Sequence, residues 1–346
     1  MTSNTSPTDI SRFRGCTLTG ALSVTTHVRD AVSVIHGPRG CSHHNLSLLH
    51  ATGLENDRVS IPELISTGLS ETDIIFGGEE TLRRTLESAA GRDVRAVYVL
   101  STCIIDTIGD DVCGVCAGDY GIPVIPVPTA GFLGGSFQDG VNNALTAIAG
   151  TAPLSRKEAG INIIGERNLE YEVEENYREI HRILTNLGLA INIRFLHTSS
   201  LDQISLLGAG RLNILREPGL VPVGEYLRQR FGTPYIASFP LGLSGTLTFI
   251  KTVSRACGVD GKRVAEEEQS LQEEILNEFS DIRGTPVVFD QTPDDPESIH
   301  AAEEAAGMLR LKFGNIANLQ AIPAAPSVGT HGIRRMLHRW RRAIHA

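Results

Sequence analysis

Hydrophobic positions along the chain fall into short runs separated by longer amphipathic stretches. "AVSVIHG" (31–37) and "VRAVYVLST" (94–102) are apolar runs rich in β-branched residues, the pattern of strands buried on both faces. "GIPVIPVPTAGF" (121–132) is a third such run, entered through a Gly-Ile-Pro turn. Between them "ETLRRTLESAA" (80–90) and "DGVNNALTAIAG" (139–150) carry apolar residues at helical spacing. The alternation predicts an α/β fold of Rossmann-like lobes, with parallel sheets flanked by helices.

A polar, proline-containing break, "GTAPLSRKEAG" (150–160), marks the best boundary. Beyond it the same alternation resumes with "INIIG", a helix over 170–187, and strands in "AINIRFLH", "RLNILR" and "TPYIASFP", the last two flanking a helix in "VGEYLRQRFG". A long helix over 260–282 follows, then "TPVVFD" and "SIHAAEEAAGML" as an incomplete strand–helix unit. Three regions result: a lobe over 1–152, a second α/β lobe over 153–256, and a helical return with a partial third lobe over 257–346. The last of these ends in a basic helical tail, "GIRRMLHRWRRAIHA", read as a solvated face or a dock for an acidic partner.

Composition narrows the classes. With 41% hydrophobic and 21% charged residues the chain reads as an ordinary globular protein. A formal net charge of −9 argues against a nucleic-acid-coating surface, so no nucleic-acid partner is expected. No window reaches the roughly 18 uninterrupted apolar residues of a membrane span, and the polar start "MTSNTSPTDISRFRGC" lacks a signal core. A cytoplasmic location with no membrane partner is therefore expected. In that reducing setting the six cysteines (16, 41, 103, 113, 116 and 257) point to metal or redox chemistry rather than disulfides.

Cys41 follows the strand "AVSVIHG" through the glycine-rich turn of "HGPRGCSHHNLSLLH", and Cys103 follows "VRAVYVLST". Both should lie at the carboxyl edge of a parallel sheet, where ligands gather and where helix N-termini favour thiolates. Cys16, just before "TLTGALSVTTHVRD", can join them. A cubane iron–sulfur cluster needs four ligands, so a fourth could come from a second chain; the competing reading is that each cysteine is a small buried residue. Cys113 and Cys116 form a CxxC read as helix packing, and Cys257 as packing. His43 and His44 could supply protons beside a cluster, or cap a helix and contact a partner. His36 is read as a satisfied core histidine, and Asp110 and Asp111 as helix caps.

"GC" (15–16), "IHGPRGCSHH" (35–44), "DIIFGGEETLRRTLE" (73–87), "STCIIDTIGDDV" (101–112) and "PVPTAGFLGG" (126–135) together resemble component 1 of the nitrogenase superfamily. That group includes nitrogenase molybdenum–iron subunits, their cofactor-assembly relatives and dark-operative protochlorophyllide reductase subunits. The likeness is strong over the first 150 residues or so, weaker to "PYIASFPLG", and fades after about residue 285. It implies a nitrogenase component 1-like fold with a truncated third lobe, and a first lobe that binds an interfacial iron–sulfur cluster. Cys16, Cys41 and Cys103 match the family's cluster ligands, at intervals of 25 and 62 residues that are close to those of the protochlorophyllide reductase subunit. The cluster implied is a 4Fe-4S cubane, or a larger P-cluster-like one.

The resemblance also marks departures. The second-lobe cysteine that holds the catalytic metallocluster in nitrogenase aligns with "LNILREPG", which offers Glu217, and the paired histidines after the "GF" block are Val141 and Asn142 here. Dinitrogen reduction is not expected. The nearest approach to GxxxxGK[ST], "GVDGKR", lacks its spacing and hydroxyl residue, so this chain should not hydrolyse ATP itself. The resemblance implies a separate iron-protein-like ATPase reductase as electron donor, and a homologous subunit across a two-fold or pseudo-two-fold interface. The leading expectation is the catalytic component of an ATP-dependent, oxygen-sensitive reductase acting on a difficult substrate, a tetrapyrrole being the first guess. The alternatives are a non-catalytic scaffold for metallocluster assembly and a metal-free binding module.

Overall fold

The structure, a computed structural model, describes residues 13, 15–58, 62–129, 131, 135–155, 158, 160–290, 296–313, 319–324 and 327–346. Residues 132–134 of "GFLGG" and most of the polar N-terminal stretch lie outside that set. In chain order the elements begin α1 (Thr17–Thr25), β1 (Ala31–His36), α2 (Arg39–Glu55), β2 (Leu64–Ser66), α3 (Glu71–Phe76), α4 (Glu79–Ala90) and β3 (Ala96–Ser101). Next come α5 (Cys103–Ile108), α6 (Val112–Cys116), β4 (Val124–Val127), α7 (Phe137–Thr151), β5 (Ile161–Ile164), α8 (Val173–Asn186) and β6 (Ile191–Phe195). Then follow α9 (Leu201–Ile204), β7 (Leu212–Leu215), α10 (Val221–Phe231), β8 (Tyr235–Ile236), α11 (Gly242–Cys257) and α12 (Lys262–Glu278). The chain closes with β9 (Pro286–Phe289), α13 (Pro296–Met308), β10 (Lys312–Phe313), β11 (Gln320–Ile322) and α14 (Gly329–His345). Among the described residues no helix is long and apolar enough to cross a membrane.

Two compact units form. The larger runs through Tyr171 and takes in Asn192–Tyr235. It holds two sheets, ordered β2-β1-β3-β4 and β6-β5-β7-β8. The pairings β1–β2, β1–β3, β3–β4 and β5–β7 are all parallel. Strand alternation divides the first sheet between two cores. Val32, Val34, Val97 and Val99 face Leu82, Leu86 and Val115, while Ile35, Tyr98 and Leu100 join the core that contains Leu22, Leu145 and Ile148. The expected α/β architecture, parallel sheets flanked by helices, is the one observed.

"TLTGALSVT", read in the sequence only as an approach to the first strand, is α1, and every one of its residues is buried. Its partner is α7, and the two backbones nearly touch. A Cβ on Gly20 would lie 1.9 Å from the Phe137 carbonyl oxygen, and one on Gly140 would lie 1.9 Å from that of Thr17. Only glycine permits this crossing. The α7 end of it is pinned by a capping box in which Ser136 and Asp139 each satisfy the other's backbone N–H.

The smaller unit comprises Glu172–Ile191 and Ile236–Ala346. Its parallel sheet, β10-β9-β11, packs with α14 around Phe279, Ile282, Val287, Leu309 and Ile322. Helix α11 was missed in the sequence, because "GLSGTLTFIKTVSRAC" is rich in Gly, Thr and Ser, which are weak helix formers. The basic tail proves to be a core element. Ile333, Met336, Leu337 and Trp340 form its buried stripe. Four of its five arginines are engaged within the unit: Arg334 with Glu278 (2.8 Å), Arg335 and Arg339 with Glu172 (3.0 and 2.9 Å), and Arg341 with Asp281 (2.6 Å). The reading of that face as free for an acidic partner is corrected accordingly.

Arg182 on α8 bridges two buried carboxylates, Glu179 (2.8 Å) and Glu268 (2.6 Å), and Glu179 also accepts from the His331 backbone N–H at 3.0 Å. Burial alone would raise the Glu179 carboxyl, but Arg182 and the His331 contacts outweigh it and hold it below its ordinary value of 4.5. A depressed folded-state value means that this carboxylate stabilises above the unfolded value, and that the contribution is lost as pH falls through the folded one. Acid titration of the whole chain should therefore show stability dropping below the ordinary carboxylate range, with a shallower slope in Glu179→Gln. Separately, Gly140→Ala should cost about 3 kcal/mol, the upper end for overpacking a core, read as a lower denaturant midpoint.

Candidate functional site

The site begins where β1 and β3 end. They pair in parallel with His36 opposite Ser101, so the helices that follow them start side by side. Gly37 leaves β1 against Thr102, whose Oγ1 a Cβ would meet at 2.1 Å, and the Thr102 N–H donates to the His36 carbonyl at 3.0 Å. Pro38 then caps α2 with an extended backbone, placing Cys41 in the first turn. Thr102 caps α5, whose first residue is Cys103, and Cys16 is the N-cap of α1. Each sulfur thus sits at the start of a helix.

The three thiols are brought together. Burial pushes the Cys41 thiol up first, and the neighbouring Cys16 and Cys103 sulfurs push it further. Cys16 is exposed, while Cys41 and Cys103 are half-buried, so the group lies at the edge of the chain. Among the described residues no three His, Cys, Asp or Glu side chains surround a single metal-ion position. A cubane does not require that, because each thiolate binds its own iron. On the chain neighbours of two of these cysteines, the buried hydroxyls Thr17 Oγ1 and Thr102 Oγ1 have no hydrogen-bond partner among the described residues. Three soft thiol donors at helix starts fit an iron–sulfur cluster that would take a further ligand from elsewhere.

A polar cross-link that the sequence did not reveal braces this edge. His36 is fully buried, with Nε2 3.1 Å from Asp110 Oδ2 and Nδ1 3.2 Å from Thr67 Oγ1. Burial lowers its pKa, with the hydrogen bond and charge of Asp110 opposing. Asp110 also accepts from the Gly78 N–H (2.9 Å) at the start of α4, and Asp111 caps α6 through the Gly114 N–H (2.8 Å). The reading of His36 as a core residue and of both aspartates as caps agrees with this placement.

His43 and His44 lie exposed on the first turns of α2. Cys116 packs with Val32, Leu82 and Val99, and burial drives its thiol up to about 12. Cys113 is exposed rather than facing that core, because α6 is a single short turn after Gly109 breaks α5. Cys257 is buried on α11. Glu217 is paired with Arg167, whose Nε lies 2.7 Å away and whose guanidinium covers the Phe13 ring at 5.5 Å. Asn142 donates to the Gly219 carbonyl at 3.1 Å, and Val141 is buried.

The fold is a parallel α/β one with three thiols at helix starts. Comparison with known proteins gives the family. The model of the nitrogenase component 1 type oxidoreductases matches residues 16–294, and the chain belongs to that family. It is 31% identical over 278 residues to the nitrogenase iron-molybdenum cofactor biosynthesis protein NifE of Clostridium pasteurianum, covering 76% of this chain and 59% of the relative. It is 26% identical to the nitrogenase molybdenum-iron protein alpha chain of the same organism, covering 76% of this chain and 51% of that one. A solved structure titled "Nitrogenase Cp1 at pH 5" superposes with a TM-score of 0.68 at 21% identity, over 87% of this chain and 63% of its own. The chain therefore spans little more than half the length of these curated relatives.

Anaerobically purified Cys41→Ala protein is expected to carry iron and acid-labile sulfide near background. Cys113→Ser should retain the wild-type content, and equal loss in both variants would contradict the ligand set.

Proposed function

We propose that this chain is the cluster-bearing subunit of a nitrogenase-like, ATP-dependent reductase, with an iron–sulfur cluster held by Cys16, Cys41 and Cys103. The carrying observation is the placement of Cys16, Cys41 and Cys103 at the starts of α1, α2 and α5, with β1 and β3 ending side by side. A cluster bound there supplies one-electron storage between a donor and an acceptor. A second subunit, packed over the exposed edge at Cys16, would provide the remaining ligand and exclude water and oxygen. His43 and His44, exposed on α2, would face that subunit or the substrate as candidate proton donors.

Electrons would come from a separate iron–sulfur ATPase. Support for its docking place comes from α3, which packs beside α5, the helix that starts at Cys103. Its end leaves Ile75 and Phe76 72% and 83% exposed, an apolar knob of the kind that marks interaction sites. The Ser70–Asp73 capping box holds this short helix in place. Substrate identity is the least constrained element, and a tetrapyrrole is the first compound to try.

A second reading, a scaffold on which a metallocluster is built and passed on, is favoured by the likeness to NifE. The pairing of Glu217 with Arg167 also supports it, since that carboxylate is occupied within the chain. Anaerobic iron and sulfide analysis with electron paramagnetic resonance before and after reduction tests the cluster common to both. A reductase re-oxidises with substrate, with ATP and the ATPase required to reduce it again; a scaffold instead yields metal to an apo-acceptor without turnover. For the reductase, Phe76→Ala should weaken ATPase-dependent reduction roughly 30-fold, as loss of an aromatic hot spot does, with iron content unchanged. A variant as fast as wild type would remove α3 from the docking surface.

A further inference from the structure

Cys113 and Cys116 stand three positions apart on α6, yet their surroundings differ. Cys113 is exposed near the start of the helix, and Cys116 is 6% exposed against Val32, Leu82 and Val99. Burial raises the Cys116 thiol most, and the neighbouring Cys113 sulfur raises it further, so the two sulfurs lie within each other's field. The turn that carries them is braced before and after. Asp111 Oδ1 accepts from the Gly114 N–H at 2.8 Å, and a Cβ on Gly114 would meet Asp111 Oδ2 at 2.2 Å. That carboxylate therefore folds over one of the two residues between the cysteines. The Tyr120 hydroxyl donates to the carbonyl of the other, Val115, at 2.9 Å. The Ala117 N–H closes the turn on the Cys113 carbonyl at 3.0 Å.

We propose that Cys113 and Cys116 are a redox-active dithiol, a thiol–disulfide exchange site whose co-reactant is a low-molecular-weight disulfide. The exposed sulfur and the buried one divide the reaction. Cys113 Sγ, as its thiolate, attacks one sulfur of the incoming disulfide, whose S–S bond breaks and releases one half as a thiolate. Cys116 Sγ then gives up its proton, attacks Cys113 Sγ and expels the other half. The two cysteines lose two electrons and two protons, and the co-reactant becomes two thiols. Side chains three apart on a helix have Cβ atoms roughly 5–6 Å apart, whereas a disulfide needs about 3.5–4.5 Å. Closure therefore asks the turn to tighten by about 1–2 Å. Helix α6 has only five residues, with Gly114 inside it and Gly118 just beyond, so a small backbone shift supplies this. The site is separate from the sulfur edge, because Cys41 packs against the core on the other side of the sheet from Cys116.

The test is mass spectrometry on the full chain, purified anaerobically and equilibrated with glutathione at increasing fractions of glutathione disulfide. Samples are quenched in acid and alkylated after unfolding. Cleavage before aspartate releases residues 111–118, which hold Cys113 and Cys116 and no other cysteine. The fragment should pass from doubly alkylated to a form two hydrogens lighter than the free dithiol, with both thiols lost together, and dithiothreitol should restore them. In Cys116→Ala, which keeps an apolar side chain in the pocket, the fragment should instead carry glutathione on Cys113. In Cys113→Ser the Cys116 thiol should stay free throughout the series. A wild-type fragment that keeps two free thiols in fully oxidised glutathione, or that accumulates the Cys113 adduct without closing, overturns the proposal. So does a Cys113→Ser chain in which Cys116 is oxidised as fast as in the wild type.

Discussion

The pairing of β1 with β3 is the constraint on which the sulfur edge depends. Parallel strands end on the same side of a sheet, and the helix after each must start there. With His36 opposite Ser101, Cys41 and Cys103 reach one surface although 62 positions separate them in the chain. The close passage of Gly37 over Thr102 then decides how near the two helix starts can lie. Cys16 arrives by a different route. It caps α1, and α1 is positioned by its glycine crossing with α7, not by the sheet. The site therefore joins a sheet constraint to a helix-crossing constraint within one core.

Electrostatics make this arrangement conditional. Burial and two neighbouring sulfurs oppose ionisation of Cys41. Three thiolates at one edge repel, and positive charge between them removes the repulsion. His36, held between Asp110 and Thr67, ties β1 to α4 and to the turn after α5. Rigidity on the inner side is combined with exposure on the outer side, where Cys16, His43 and His44 face solvent in the single chain.

Strand–helix alternation was legible because these strands are continuous apolar runs, and the helices between them carry a clear period. The placement of Cys41 and Cys103 at helix starts followed from topology alone. What the sequence hid depended on tertiary contact. A helix as polar as "TLTGALSVT" is buried throughout because its glycine meets another helix's backbone, which no periodicity reports. The Asp110–His36–Thr67 link joins residues 74 and 31 positions apart. Cys113 was misplaced because Gly109, in the left-handed region at φ 80°, ends α5 early and resets the helical phase before the CxxC. The tail's arginines looked available because their acidic partners lie 56 to 167 positions away, as Arg334–Glu278 and Arg339–Glu172 show.

Several arginines of the smaller unit form fixed internal pairs, in which the planar guanidinium can serve two carboxylates at once, as Arg182 does for Glu179 and Glu268. Such buried pairs contribute little net stability against a hydrophobic alternative, but they fix which faces of α8, α12 and α14 can meet.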